Sequence, residues 1–201
     1  KNPFLTGKKD RVVFGHPRRK EDEEGKWWDI YTDPIYNNLE LDYVHFETPY
    51  GMRHKKPSVT NNLKYLDIIN FLVNLPFPDL LMKMVISKND LIKIKSIEKK
   101  IQEKYGVKIH IRGFIKKSIK ERLLTRWTYY TLLKKIQPKI VIVVVSYNKE
   151  TLIEVCKDLD IPVVELQHGI INKAHPGYNY PSGVLKKTFP DYFFSFGDYW
   201  L

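Results

Sequence analysis

The stretch Ile140-Val-Ile-Val-Val-Val145 decides the fold class of this chain. Six consecutive β-branched residues are typical of a strand that is buried on both faces, as the strands of a parallel sheet are. The residues that follow predict a helix over 149–159 and a second buried strand over 162–166. Strand, helix and strand of these lengths make a βαβ unit, so the sequence predicts an α/β protein.

Outward from this unit, the same kinds of pattern extend the sheet and add helices. Further strands are predicted over residues 11–15, 41–46, 107–111 and 192–196, and helices over residues 60–75, 79–105 (with a break near Ser87) and 118–137. We therefore expect a Rossmann-like fold, with a largely parallel sheet, helices on both faces and a Lys-rich helical middle segment. Residues 1–201 are predicted to form a single domain, in which the helical middle is an insertion or a cap.

The composition narrows the class of partner. The 201 residues carry a formal charge of +11, which favours anionic partners such as nucleotide-sugars, lipid phosphates or an anionic membrane surface. Nucleic acid also fits the charge alone and is a third, weaker alternative. It is not among the expected partners, because no helix-turn-helix, RNP or zinc signature supports it. The single cysteine, Cys156, excludes a disulfide framework and a Cys-based zinc site, and its apolar neighbours predict that it is buried.

The chain carries no sign of export or of membrane insertion. No run of residues reaches the roughly 18 apolar positions of a membrane span, and the first residues do not read as a secretory signal. We expect a cytoplasmic protein, with the inner face of the membrane as a second location.

One histidine is the leading catalytic candidate. His168 and Gly169 directly follow the predicted strand over residues 162–166. The carboxyl ends of parallel strands form the ligand-binding rim of an α/β protein, so an imidazole at this position suits proton transfer or the binding of a phosphate. Gly169 lets the backbone approach a ligand closely. The alternative is a structural histidine that bonds to a neighbouring loop.

A basic loop follows the first predicted strand. His16, Arg18 and Arg19 lie there, and two guanidinium groups at a strand end can clamp phosphate oxygens in bidentate fashion. Alternatively, the cations pair locally with the acidic run Glu21-Asp-Glu-Glu24. Because the strands before His16 and His168 are both expected to be parallel, we expect the two histidines to share one cleft.

Two further segments complete the predicted substrate-binding set. Ser146 stands between a strand and a helix, where free backbone N–H groups suit an anion; alternatively Ser146 or Asn148 is only the helix N-cap. His175 and Tyr178 lie in a loop with Gly177, for which a sugar-binding or lid role and a packed surface loop are both open.

Several common motifs are missing. The chain has no G-x-x-x-x-G-K-[ST], G-x-G-x-x-G, G-x-S-x-G or H-E-x-x-H segment. Asp158-Leu-Asp160 has the spacing of a metal motif, but its position between a helix and a strand predicts a turn. No metal site is therefore expected.

Both ends of the chain resemble a known family. The segments are Phe14-Gly-His-Pro-Arg-Arg-Lys20, Trp28-Asp-Ile-Tyr-Thr-Asp-Pro34, Val163-Val-Glu-Leu-Gln-His-Gly-Ile-Ile171, His175-Pro-Gly-Tyr178 and Pro190-Asp-Tyr-Phe-Phe-Ser-Phe-Gly-Asp-Tyr-Trp200. They resemble bacterial and archaeal glycosyltransferases that build capsule and cell-surface polysaccharides. The His-Gly after a strand is also similar to glycerophosphotransferases of teichoic-acid synthesis. The Lys-rich middle carries no resemblance.

The resemblance implies a GT-B architecture, in which two Rossmann-like domains face each other across a cleft and no catalytic metal or cofactor is needed. This chain would be the N-terminal, acceptor-side domain, inactive without a second domain after Leu201. The donor would be a nucleotide-sugar and the acceptor a glycan or a lipid-linked glycan. His168 would act as general base or stabilise the departing phosphate, while His16, Arg18, Arg19 and His175 would line the cleft. The alternatives are a noncatalytic nucleotide- or anion-binding domain and a glycerophosphotransferase-like enzyme.

Overall fold

A computed structural model describes residues 1–37, 42–74, 86–172, 174–181 and 186–198. The chain divides into two compact units, one formed by residues 1–69 and 126–201 and the other by residues 70–125. The strands are β1 (Arg11–Phe14), β2 (Lys20–Glu21), β3 (Trp27–Trp28), β4 (Tyr43–Glu47), β5 (Leu63–Tyr65), β6 (Ile140–Val144), β7 (Val163–Leu166) and β8 (Tyr192–Phe194). The α-helices are α1 (Asp33–Asn37), α2 (Asp67–Asn74), α3 (Lys88–Tyr105), α4 (Ile111–Ile136) and α5 (Glu150–Asp158), and a 3-10 turn covers Pro3–Leu5.

The main sheet confirms the predicted α/β, Rossmann-like fold. Six strands lie in the order β5-β4-β1-β6-β7-β8, and every neighbouring pair is parallel. From β1 the chain continues to β4 and β5 on one side of the sheet, and from β6 it continues to β7 and β8 on the other side. The connections after β1 and β6 therefore diverge, which opens a crevice at their carboxyl ends, where α/β proteins bind ligands. β2 and β3 form a separate antiparallel pair.

The predicted strand over residues 140–145 lies in the middle of this sheet. Val141, Val143 and Val144 of β6 are buried, and β6 pairs with β1 on one side and β7 on the other. Burying a β-branched side chain stabilises the fold by about 1.5–3 kcal/mol. The helix α5 between β6 and β7 buries four apolar residues, Leu152, Ile153, Val155 and the free Cys156.

The predicted helix over residues 60–75 is wrong in its first half. Leu63–Tyr65 form the edge strand β5, paired with β4, and the helix α2 begins only at Asp67. Leu63, Leu66 and Ile69 are all buried, so their spacing fits a helix equally well, and short apolar runs do not separate the two states. Pairing with β4 decides for a strand. Residue 75 lies outside the described residues.

The helical unit contradicts one prediction and confirms another. The predicted strand over residues 107–111 is absent: residues 107–110 form an exposed loop, and α4 already begins at Ile111. Among the described residues no strand pairs with this alternating segment. The predicted break near Ser87 is confirmed, because the Ser87 side chain accepts from the Asp90 N–H and caps α3. The part of the predicted helix at residues 79–85 lies outside the described residues.

Two strand ends differ slightly from expectation. β8 stops at Phe194, two residues short of the predicted end, and β4 runs on to Glu47. Within the described segments, no helix is long and apolar enough to cross a bilayer.

Candidate functional site

The crevice at the carboxyl ends of β1, β6 and β7 brings the two predicted histidines together. His16 follows β1 and His168 follows β7. Their imidazole rings are nearly parallel, at an interplanar angle of 15°, with centroids 6.5 Å apart. Tyr147, which follows β6, contacts His168 edge-on at a centroid distance of 5.7 Å. Three strand ends thus contribute rings to one site.

His168 is held by two tyrosines. Its backbone carbonyl accepts from the Tyr31 hydroxyl at 2.8 Å, and its Nε2 lies 3.2 Å from the Tyr147 hydroxyl. Nδ1 is buried and has no hydrogen-bond partner among the described residues. Burial lowers the pKa of His168, although the nearby Glu165 carboxylate opposes this effect. The ring is therefore neutral at pH 7 and able to accept a proton.

His16 has a complementary arrangement. Its backbone N–H donates to Asp29 Oδ2 at 3.1 Å, and its Nδ1 accepts from the Arg18 N–H at 3.1 Å. Burial, and secondarily the charges of Arg18 and Lys149, lower the pKa of His16 to about 4. Since Nδ1 is used as an acceptor, the neutral ring carries its proton on Nε2. That N–H can donate to a ligand oxygen.

The two arginines predicted to bind substrate lie in different environments. Arg18 is exposed and acts electrostatically on both His16 and His168, so it is free to meet an anion. Arg19 is only 7% exposed. Its Nε lies 2.5 Å from Glu47 Oε2, and its Nη1 contacts Thr60 Oγ1 at 3.3 Å. Because internal partners occupy this guanidinium, Arg19 has a structural role in place of the predicted substrate contact.

Arg19 belongs to a buried polar network beneath the crevice. Asp33 accepts from the Thr60 hydroxyl at 2.6 Å and from the Asp29 N–H at 2.7 Å. His45, fully buried, lies 3.4 Å from Arg19 Nη2 and 3.8 Å from Asp29 Oδ2. Burial and the neighbouring arginine lower the pKa of His45 to about 3, so it stays neutral. Through Asp29, the network fixes the backbone of His16.

A strained turn shapes the end of β6. Val145 has φ +78°, a left-handed conformation that is costly for a β-branched residue and clusters at functional sites. The Lys149 ammonium group donates to the carbonyls of Val144 and Val145 at 3.1 and 2.9 Å. Burial lowers the pKa of Lys149 to about 8. The lysine is therefore still mainly cationic at pH 7 and adds positive charge beside the histidines.

The predicted loop with His175 and Tyr178 lies over Tyr147. The Tyr147 ring contacts both, at centroid distances of 5.6 and 5.9 Å. A Cβ on Gly177 would lie 2.7 Å from Tyr147 Cδ1, so only glycine allows this close approach. The Tyr178 hydroxyl donates to Glu165 Oε1 on β7. One buried carboxylate thus fastens the loop to the sheet.

The remaining predicted residues frame the crevice. Ser146 is buried, and its backbone N–H donates to Glu165 Oε1 at 3.0 Å, so that N–H is already engaged. The N-cap of α5 is Lys149, not Ser146 or Asn148. Gly169 accepts from the Gln167 side chain at 2.9 Å, and a Cβ on it would meet nothing within 4 Å, which leaves room for a ligand.

Four residues of the site escaped sequence reasoning: Tyr147, Lys149, Glu165 and Asp29. The sequence did contain an indication for Glu165, because a carboxylate inside the apolar strand β7 must have polar partners. Tyr147 and Lys149 follow β6 directly, so strand-end position was a signal for them too. Asp29 had none, because its contact with His16 depends on the fold of the segment between them.

Among the described residues, no cluster of three or more His, Cys, Asp or Glu side chains is arranged to hold a metal ion. Comparison of the chain with protein-family models, with curated proteins and with solved structures finds no match. A function must therefore be argued from the geometry of the crevice.

Proposed function

We propose that this chain is the acceptor-side domain of a metal-independent glycosyltransferase that uses a nucleotide-sugar donor and a cell-surface glycan or lipid-linked acceptor. The single observation that supports this proposal is the pairing of His16 and His168, two neutral imidazoles 6.5 Å apart at the strand ends. The resemblance of the flanking segments to glycosyltransferases of polysaccharide synthesis agrees with it.

In the proposed reaction, His168 is the general base. It takes the proton from an acceptor hydroxyl while that oxygen bonds to the anomeric carbon of the donor sugar. The bond from this carbon to the nucleotide phosphate breaks, and its electron pair leaves on the phosphate oxygen. A low pKa keeps the His168 imidazole unprotonated at neutral pH, as this role requires.

The other groups of the crevice have supporting roles. The Nε2–H of His16 is free of the Arg18 contact, which uses Nδ1, and can donate to the acceptor or the donor. Arg18 and Lys149 supply positive charge where the leaving phosphate gains negative charge. His175 and Tyr178 cover the crevice and suit a sugar, since hydroxyl-rich ligands pack against rings that also bear polar atoms.

The second candidate is glycerophosphate transfer, or noncatalytic binding of a nucleotide or another anion. The observation that favours it is the same cationic edge of Arg18 and Lys149 around His16. In glycerophosphate transfer the acceptor hydroxyl would still lose its proton as its oxygen bonds to phosphorus and the nucleotide phosphate leaves, while the imidazoles hold phosphate charge. In noncatalytic binding the imidazoles would only contact the anion, and no proton would be transferred.

The test is carried out in the full-length protein that contains this chain, with labelled nucleotide-sugars and CDP-glycerol offered separately with membrane glycolipids. His168→Ala is expected to lower kcat by about 10²–10⁴-fold, the usual contribution of a positioned general base, with little change in the acceptor KM. His168→Gln retains hydrogen bonding but cannot take the proton, so it is expected to remain as slow.

Lys8→Gln is the control, because Lys8 is exposed and belongs to neither the crevice nor the helical unit; its rate should equal that of the wild type. If His168→Gln restores the rate of sugar transfer, His168 is not the general base and its imidazole holds charge or position instead. Transfer from CDP-glycerol alone would select the glycerophosphotransferase, and normal turnover by His168→Ala would remove the crevice from the reaction.

A further inference from the structure

The helical unit concentrates the positive charge of the chain. Residues 86–125 contain twelve Lys or Arg and four Asp or Glu, a net +8 of the +11 that the whole chain carries. The acids that do pair lie along the helices, as in Lys99–Glu103 and Lys117–Glu121 at 3.6 and 3.7 Å. The surplus of cations far exceeds what such pairs neutralise, so the surface of this unit attracts anions.

Apolar side chains are exposed where the two long helices meet. α3 ends at Tyr105, Gly106 caps it with φ +68°, and α4 begins at Ile111. Around this turn, Tyr105, Val107, Ile109 and Phe114 are each 43–72% exposed. We call residues 104–114 the hairpin tip. Four large apolar side chains within so short a segment exceed the isolated exposed residues that are normal on a soluble surface.

A groove beside the hairpin tip is lined by cations. Its volume is about 250 Å³, and its lining includes Lys95, Lys99, Lys108 and His110, with Glu98 as its acidic member. Ile109 lines the groove as well and belongs to the tip. The cations of the groove therefore lie beside an apolar side chain of the hairpin tip.

We propose that the hairpin tip docks on an anionic lipid bilayer. The apolar side chains would enter the boundary between headgroups and acyl chains, while the surrounding lysines contact lipid phosphates, as in interfacial amphipathic segments. Ten of the twelve cations are lysine, which lacks the planar, stacking guanidinium that makes arginine the preferred residue in nucleic-acid recognition. The aliphatic Val107 and Ile109 also suit acyl chains better than bases. This surface is independent of the transferase reaction.

The test is flotation of the chain with vesicles of pure phosphatidylcholine and of phosphatidylcholine mixed with phosphatidylglycerol. The wild type is expected to float only with the anionic vesicles, and less as salt is added, because screening weakens contacts between exposed charges. Lys104→Gln with Lys108→Gln should weaken partitioning by about fivefold for each lysine removed. Ile109→Ser with Phe114→Ser should weaken it by at least about tenfold.

Matched controls come from the other unit, where Lys8 and Met52 are exposed. Lys8→Gln and Met52→Ser should partition like the wild type, and circular dichroism checks that every variant is folded. Equal flotation with neutral vesicles overturns the proposal, as does an unchanged partition of the tip variants. If a single-stranded RNA oligonucleotide binds and anionic vesicles do not, the occupant is nucleic acid and the membrane proposal fails. The flotation and RNA-binding results for the wild type test the membrane proposal even if a variant does not fold.

Discussion

His16 and His168 present opposite hydrogen-bonding capacities to the same crevice. His16 has its Nδ1 engaged by the Arg18 N–H, which leaves an Nε2–H donor, whereas His168 has a buried Nδ1 with no partner in the described part of the chain and an Nε2 shared with Tyr147. Two histidines from opposite ends of the sequence thus place a free Nε2–H and a neutral imidazole bonded to Tyr147 in one crevice, with ring centroids 6.5 Å apart. Environments that differ in this way are how proteins assign acid and base roles.

Gly177 controls the position of Tyr147 and, through it, of His168. In Gly177→Ala, the new Cβ would lie 2.7 Å from Tyr147 Cδ1 and 3.2 Å from His175 Cε1, so the tyrosine must move. We expect a loss of about 1–3 kcal/mol in unfolding free energy, as for other overpacked sites, and shifted NMR signals of the His168 imidazole. In Gly169→Ala the added methyl meets open space; a similar cost there would disprove the packing argument.

Tyr178 holds the loop through Glu165. Tyr178→Phe removes the hydroxyl that donates to Glu165 Oε1 and leaves the buried carboxylate with the Ser146 N–H. Loss of a donor to a buried charged group should reduce the unfolding free energy by about 1–3 kcal/mol, measured by urea denaturation. Tyr192→Phe, at an exposed position of β8, is the control and should be neutral. Equal stability of the two variants would mean that the loop is held by other contacts.

Arg19 and Arg18 are expected to have different roles, the first in stability and the second in ligand binding. Arg19→Gln removes the cation beside buried Glu47, which keeps its contact with His54 Nδ1 at 2.5 Å. We therefore expect a loss of about 3 kcal/mol in unfolding free energy, the lower end of the range for a broken buried pair. Arg18→Gln should change stability by no more than about 0.5 kcal/mol, as exposed substitutions do, yet weaken nucleotide binding measured by calorimetry. The reverse result, with Arg18 needed for stability and Arg19 for binding, would restore the prediction made from the sequence for Arg19.

His45 makes stability depend on pH. Its pKa is about 3 in the fold and about 6.5 in the unfolded chain, so the unfolded state binds more protons between these values. The contribution of neutral His45 to the unfolding free energy is therefore fully present above about pH 6.5 and is lost as the pH falls towards about 3. From pH 7 to pH 5 the loss is about 2 kcal/mol.

Urea unfolding at both pH values is compared between wild type and His45→Gln, and the variant should lose about 2 kcal/mol less. His16 and His168, whose pKa values are also lowered, add the same pH dependence to both proteins. Burial raises the pKa values of Asp29 and Asp33. These two groups therefore make the fold more stable as the pH falls, in the wild type and in His45→Gln alike. Identical pH slopes for wild type and variant would exclude His45 as the titrating group.

Two glycines should respond in opposite directions to alanine. A Cβ on Gly15 would overlap His45 Nε2 and lie 2.6 Å from Asp29 Oδ2, whereas one on Gly113 meets nothing within 4 Å. Gly15→Ala should therefore lower the unfolding free energy by about 1–3 kcal/mol. Gly113→Ala, inside α4, should raise it by up to about 1 kcal/mol. Thermal unfolding followed by circular dichroism compares them, and the same sign for both would contradict the packing seen at Gly15.

Local pattern was sufficient for those parts of the fold whose signal lies in consecutive residues. The β-branched run of β6, the apolar spacing of α5 and the serine cap of α3 each depend on side chains within a few positions of one another. Pattern failed at Leu63–Tyr65 and at residues 107–110, because short apolar spacings fit more than one state and only a pairing partner, present or absent, decides between them.

The sequence by itself determined the α/β class and the placement of His16 and His168 at strand ends, because backbone propensity and burial act locally. Only the tertiary structure decided that β1 lies between β4 and β6, and hence that two distant histidines meet. It also decided that Arg19 lies inside and Arg18 outside, since a guanidinium is buried only where carboxylates from remote segments converge on it. Ion pairs and hydrogen bonds across the fold join residues that no local pattern relates.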